Sequence, residues 1–185
     1  MKIVGFNGSL SKESNSLKGL KVSLEACKRL GVEVFLYNLR ELPLPIFDPD
    51  LDDTDDPNVQ TFTKLLDEAD GIILASPDYH NTIGGAFKNA LDWVSSKQFK
   101  KKPVALISAT GGPSSMSTLN TMQLMMRSLH AWIIPVLGSI PGNTQFNPDG
   151  SFADPRMQQR FETIGREMVE AVQLLRERST ANAQI

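Results

Sequence analysis

Met1-Lys-Ile-Val-Gly-Phe-Asn-Gly-Ser-Leu-Ser-Lys-Glu-Ser-Asn-Ser16 opens the chain. Lys2–Phe6 is a short apolar run of strand type, and Gly8 permits a sharp turn directly after it. Ser9, Ser11, Ser14, Asn15 and Ser16 follow, with Lys12 among them, and a helical pattern starts at once. Strand, small polar loop and helix in succession make a phosphate cradle. The loop offers backbone N–H groups and hydroxyls, and the helix N-terminus adds partial positive charge.

Working outward, Leu17, Leu20, Leu24 and Cys27 recur at steps of three and four, one face of an amphipathic helix that Gly31 closes. On that face Cys27 reads as a small buried apolar residue. Val32–Tyr37 is a second strand. Leu42-Pro-Leu-Pro-Ile-Phe-Asp-Pro-Asp50 is a proline-rich loop. Its apolar part, Leu42, Leu44, Ile46 and Phe47, is either a partner surface or packing within the domain. Asp52, Asp53, Asp55 and Asp56 follow and read as a solvated acidic loop, because the spacing and Gly of a calcium loop are lacking.

Asn58–Ala69 has helical spacing, and Gly71–Ser76 is a continuous apolar run, the pattern of a strand buried on both faces. Pro77–Gly85 reads as a loop, Ala86–Ser96 as a helix, Lys97–Lys102 as a basic solvated turn and Pro103–Ala109 as another buried strand. Thr110–Ser115 is a small-residue loop. Leu119, Met122, Met126 and Leu129 mark a helix, with His130 near its end, and Trp132–Leu137 is a fifth strand. Asp154-Pro155 starts a last helix whose stripe is Met157, Phe161, Ile164, Met168, Val172 and Leu175. The polar residues 179–185 are expected to fray.

Strands and helices alternate regularly, which predicts an α/β fold with parallel strands and helices on both faces. Five such units in one domain spanning 1–185 fit a flavodoxin-like three-layer sandwich, strand order 2-1-3-4-5. Ligands in such sheets bind beyond the carboxyl ends of the strands, at the switch point. The loops after the first, third and fourth strands should meet there. The first turn holds only Gly5 and Gly8, so Gly-x-Gly-x-x-Gly is missing; no acid ends the second strand, and there is no Walker sequence. A mononucleotide such as FMN fits better. Tyr79, His80 and Asn81 with neighbouring amides suit a flat heteroaromatic ring, and Gly111-Gly112 lets backbone approach closely.

Net charge is −2 and the hydrophobic fraction 41%, giving no basic surface for nucleic acid. No apolar run reaches the length of a membrane span and no signal segment precedes the first strand, so a cytoplasmic protein is expected. One cysteine and two histidines argue against an internal disulfide and a metal site.

Gly8–Ser16, Ser76-Pro-Asp-Tyr-His-Asn81 and Gly85-Ala-Phe-Lys-Asn-Ala-Leu-Asp-Trp93 resemble the NADPH-dependent FMN reductase family, flavodoxin-like reductases of quinones, chromate and azo compounds. The resemblance continues through Thr110-Gly-Gly to Pro135. It implies bound FMN, with NADPH or NADH as co-substrate and a flat small-molecule electron acceptor such as a quinone, azo compound or free flavin. It places Ser9, Ser11, Ser14, Asn15 and Ser16 at the phosphate. Pro77, Asp78, Tyr79, His80, Asn81, Thr110, Gly111 and Gly112 would line the ring. It implies no indispensable catalytic acid or base, and a homodimer or homotetramer with Leu42–Phe47 as the partner's lid. Two departures stand out: Ser11 occupies a position where the family often has Arg, and Asp78 one where Glu is common. A flavodoxin-type electron carrier and a non-catalytic flavin-binding regulator are the alternatives on the same fold.

Overall fold

The computed structural model describes residues 1–50 and 55–182; Asp52 and Asp53 of the acidic run, and 183–185 of the tail, lie outside them. The elements are β1 (Lys2–Asn7), α1 (Asn15–Arg29), β2 (Glu33–Asn38), α2 (Pro57–Glu68), β3 (Gly71–Tyr79), β4 (Thr82–Ile83), α3 (Gly85–Asp92), α4 (Ser96–Phe99), β5 (Pro103–Ala109), α5 (Met116–Ser128), β6 (Trp132–Ile140) and α6 (Pro155–Asn182). The parallel strands lie in the order β2-β1-β3-β5-β6. This is the expected flavodoxin-like path. The short β4 is added antiparallel to β3.

Side-chain alternation divides the core into two. Ile3, Ile73, Ala75, Ala105 and Ile107 point to one face and pack under α1 and α6 with Leu20, Leu24, Phe161, Ile164 and Met168. Val4, Phe6, Ile72, Leu74, Val104 and Leu106 point to the other, under α2, α3 and α5 with Phe62, Phe87 and Met122. Cys27 is buried, as expected, and burial pushes its thiol up to about 12. Its Sγ lies 3.3 Å from Gly165 O. At that crossing a Cβ on Gly165 would overlap Ser23 O, so α6 meets α1 backbone to backbone.

Local chemistry sets the element ends. Ser14 caps α1, its Oγ accepting from Leu17 N at 3.1 Å. Gly31 takes φ 77° just past the helix. Asp56, from the acidic run, is not simply solvated: its carboxylate accepts from Asn58 N and Val59 N and caps α2, with Pro57 at the first helical position. His130, at φ 60°, adopts the left-handed turn that ends α5.

Several expected boundaries shift. β3 runs through Pro77-Asp78-Tyr79, which read as loop. Proline is tolerated there because β1 pairs only as far as Ala75, leaving that side of Pro77 without a strand partner. The helix expected over Ala86–Ser96 stops at Asp92. Lys97–Lys102 is not a plain solvated turn: it contains the end of α4, with Ser95 and Gln98 in a capping box and Phe99 fully buried. β6 extends beyond Leu137 to Ile140. α6 continues through Asn182, past the expected fraying point at 179.

Candidate flavin site

The loops after β1, β3 and β5 meet at the carboxyl end of the sheet and line one cleft. Of the residues read from sequence, Ser9, Ser11, Ser14, Asn15, Ser16, Pro77, Asp78, Tyr79, Thr110 and Gly111 border it. His80, Asn81 and Gly112 do not. Glu13, Ala109 and Gly142 do, and sequence reasoning passed over them. Gly142 follows β6, and its N–H donates to Gly112 O at 2.9 Å. A Cβ there would overlap the Gly111 carbonyl, so glycine is what lets the β5 and β6 loops touch. A Gly-rich stretch after the last strand was the available signal.

The first wall is the β1–α1 turn. Gly8 closes it: a Cβ would stand 2.9 Å from Phe87 Cα, so the turn lies against α3. Ser9, Ser14 and Ser16 are buried. Their hydroxyls make internal bonds. Ser9 Oγ accepts from Ser11 N, Ser14 Oγ bonds Ser16 Oγ at 3.0 Å, and Ser16 Oγ donates to Asn7 Oδ1 at 3.0 Å. The N–H groups of Asn15 and Ser16, at the head of the fifteen-residue α1, have no acceptor among the described residues. Unsatisfied first-turn donors with the helix dipole behind them suit an oxyanion.

The second wall is a hairpin. Asp78 pairs with Ile83 and Tyr79 with Thr82, leaving His80-Asn81 as a two-residue turn. Both take positive φ, 57° and 63°, as a type I′ turn demands. The Asp78 carboxylate accepts from Asn81 N at 3.0 Å and from the buried Thr118 Oγ1 at 2.8 Å. Asp78 therefore fastens the hairpin to α5. Tyr79 stands half-exposed beside the cleft. His80 and Asn81 shape the turn away from it, which is why they do not border the cleft.

The third wall is Thr110-Gly111. Thr110 N donates to Ile140 O, and Thr110 Oγ1 accepts from Gly112 N.

The Lys88-Asn89-Ala90-Leu91-Asp92-Trp93 motif lies outside the cleft. Asn89 Nδ2 and Trp93 Nε1 both donate to Pro45 O, at 2.8 and 3.1 Å. Asn89 Oδ1 accepts from Phe47 N, and the Phe47 and Trp93 rings meet edge to face at 5.1 Å. The motif is a clamp on the proline-rich loop. It leaves Ile46 81% exposed at the apex.

A cleft rich in hydroxyls and amides at the switch point of a flavodoxin-like sheet, with free N–H groups at its mouth, defines a mononucleotide-binding flavoprotein. The donor set fits the phosphate of FMN, and a Cβ on Gly111 would meet nothing within 4 Å, so the backbone there is open to a flat ring.

Comparison with known proteins carries the assignment further. The model of the NADPH-dependent FMN reductase family matches residues 1–144. An NADPH azoreductase of Bacillus sp. (strain OY1-2) is 35% identical over 136 residues, 73% of this chain and 74% of that one. An NAD(P)H:quinone oxidoreductase of Solanum tuberosum is 31% identical over 172 residues, 89% of each. Among solved structures, the flavoenzyme NAD(P)H:(acceptor) oxidoreductase FerB from Paracoccus denitrificans superposes with TM-score 0.77 at 19% identity, covering 93% of this chain and 97% of that one. An archaeal flavodoxin superposes at 0.67 with 16% identity, covering 94% and 99%. These two share the fold. The chain belongs to the NADPH-dependent FMN reductase family and is an FMN-dependent NAD(P)H oxidoreductase. Among the described residues no helix is long and apolar enough to cross a membrane.

Proposed function

We propose that the three-loop cleft holds FMN and serves a flat acceptor of the quinone or azo class, within one domain spanning the chain. The observation that carries this reading is the convergence of unpartnered Asn15 and Ser16 N–H groups with the Pro77–Tyr79 and Thr110-Gly111 walls in one cleft. FMN, when bound, supplies the redox chemistry, taking hydride from NAD(P)H and passing it to the acceptor.

The chain's own part is binding and orientation. The Ser9–Ser16 segment holds the phosphate by main-chain donors and the Asn15 amide. Pro77–Tyr79 and Thr110-Gly111, which border the cleft, flank the ring and orient it. Asp78 has both carboxylate oxygens engaged and acts as a brace. No side chain is assigned proton transfer. Ile46, held outward by Asn89 and Trp93, supports assembly into a homodimer or homotetramer through the proline-rich loop.

The test is the visible spectrum of the purified protein under anaerobic conditions, with NADPH and then NADH added. A flavin band that bleaches is expected, and the faster donor identifies the preferred nucleotide. A colourless protein that takes up no FMN overturns the reading. Light scattering on the eluted protein measures the assembly; a monomer at every concentration would remove the oligomer.

A further inference from the structure

Directly beneath the phosphate loop lies a chain of hydrogen-bonded polar side chains that continues past Asn7. Asn7, the last residue of β1, is fully buried, and in the β1–β2 register it faces Asn38, also buried. Asn7 Nδ2 donates to Ser9 O at 3.2 Å and to Asn38 Oδ1 at 3.0 Å. Asn38 Nδ2 donates to Glu41 Oε1 at 2.9 Å. Asn7 Oδ1 accepts from Ser16 Oγ, which is bonded to Ser14 Oγ.

The directions follow from one end. An ionised carboxylate only accepts, so Glu41 fixes Asn38 with its NH₂ outward and its oxygen toward Asn7. That oxygen, with Ser9 O, fixes Asn7 with its NH₂ on those two acceptors and its oxygen toward Ser16. Ser16 has one proton and gives it to Asn7. Ser14 must then be the donor in its bond to Ser16. The hydroxyl and amide protons thus run away from the cradle, from Ser14 through Ser16, Asn7 and Asn38 to Glu41, while the second amide proton of Asn7 goes back to Ser9 O.

We propose that Asn7 is the positioning residue of the phosphate cradle: its oriented amide draws the Ser14 and Ser16 hydroxyl protons away from the cleft, so that the cradle presents main-chain N–H groups and the Asn15 side chain to the phosphate. The proposal rests on the FMN reading of the cleft. Asn7 sets the loop in two places, through Ser9 O at its start and Ser16 Oγ at the helix head. A buried donor or acceptor left unpaired costs enough to shift such a loop.

The test compares FMN with riboflavin, which lacks the phosphate, by fluorescence titration of the apoprotein. Wild type is expected to prefer FMN. N7A should lower FMN affinity about tenfold, the worth of roughly one hydrogen bond, and leave riboflavin affinity unchanged. Should N7A not fold, N7S replaces it: a serine cannot span both Asn38 and Ser16, and a smaller loss confined to FMN is expected. An unchanged FMN-to-riboflavin ratio in the folded variant, or an equal loss for both ligands, overturns the positioning role. A wild type without preference for FMN overturns the phosphate reading itself.

Discussion

At the amino edge of the sheet Lys2 pairs with Glu68, Arg176 with Asp70 and Lys97 with Asp67, and Asp70 also takes the Lys2 N–H at 2.8 Å. At the carboxyl edge the same strands run out into serine, asparagine, threonine and glycine, and the first-turn N–H groups of α1 are left open. One end is closed by charges that satisfy one another. The other is held by hydrogen bonds to hydroxyls, amides and the Asp78 carboxylate and by close backbone contacts, with donors in reserve for a ligand. A sheet of one length thus carries a fastening at one edge and a binding site at the other. The difference lies in which polar groups are already partnered.

Four substitutions probe that contrast. Gly142→Val should do most, because any Cβ collides with the Gly111 carbonyl and drives the β5 and β6 loops apart. Displacement of that size costs about 3 kcal/mol or more, so FMN affinity should fall on the order of a hundredfold, read by titration of the apoprotein. Retained affinity would mean that the β6 loop is no part of the site. Asn15→Ala removes a cradle donor, and a charge-assisted bond of roughly 1.5–3 kcal/mol predicts a loss on the order of tenfold or more. An unchanged value would place the phosphate elsewhere.

Thr118→Val strips Asp78 of one donor 2.8 Å away and should loosen the hairpin, lowering FMN affinity and melting temperature together at a cost of about 1–2 kcal/mol. Thr118→Ser should restore both, and failure to do so would sink the brace.

Asp70→Asn belongs to the opposite edge. Burial acts to raise this carboxyl, but bonds from Arg176 and Lys2 N–H outweigh it and hold it below the ordinary 3.8. A depressed folded pKa adds stability above the unfolded value and loses it as pH falls through the folded one. The variant should therefore lose up to about 1 kcal/mol at neutral pH and less in acid, with FMN affinity intact. A change in FMN affinity would show that the two edges are coupled.

The fold was legible because its signals are local. β1, β3 and β5 are apolar runs separated by helical stripes, and alternation with short turns leaves few topologies. That the β1–α1 loop and the first glycine of the β5 loop border one cleft was legible for the same reason. What escaped depends on contacts between distant residues. Pro77 reads as a strand breaker until β1 is seen to pair with β3 only as far as Ala75. Gly142 means nothing until Gly111 lies against it. Asn7 and Asn38 are two unremarked asparagines in sequence, yet each ends a strand, and parallel pairing sets them side by side. The motif around Asn89 and Trp93 was readable as a family mark, while its work as a clamp on Pro45 needed the fold.

That clamp has a consequence during synthesis on the ribosome. Pro45 and Phe47 emerge first, but the side chains that fasten them, Asn89 and Trp93, come 42 to 48 residues later. Domains fold from the N-terminus as they are made. Pro45 and Phe47 are therefore still unfastened after β1 and β2 have left the tunnel, and Ile46 is set at the apex only once α3 has followed.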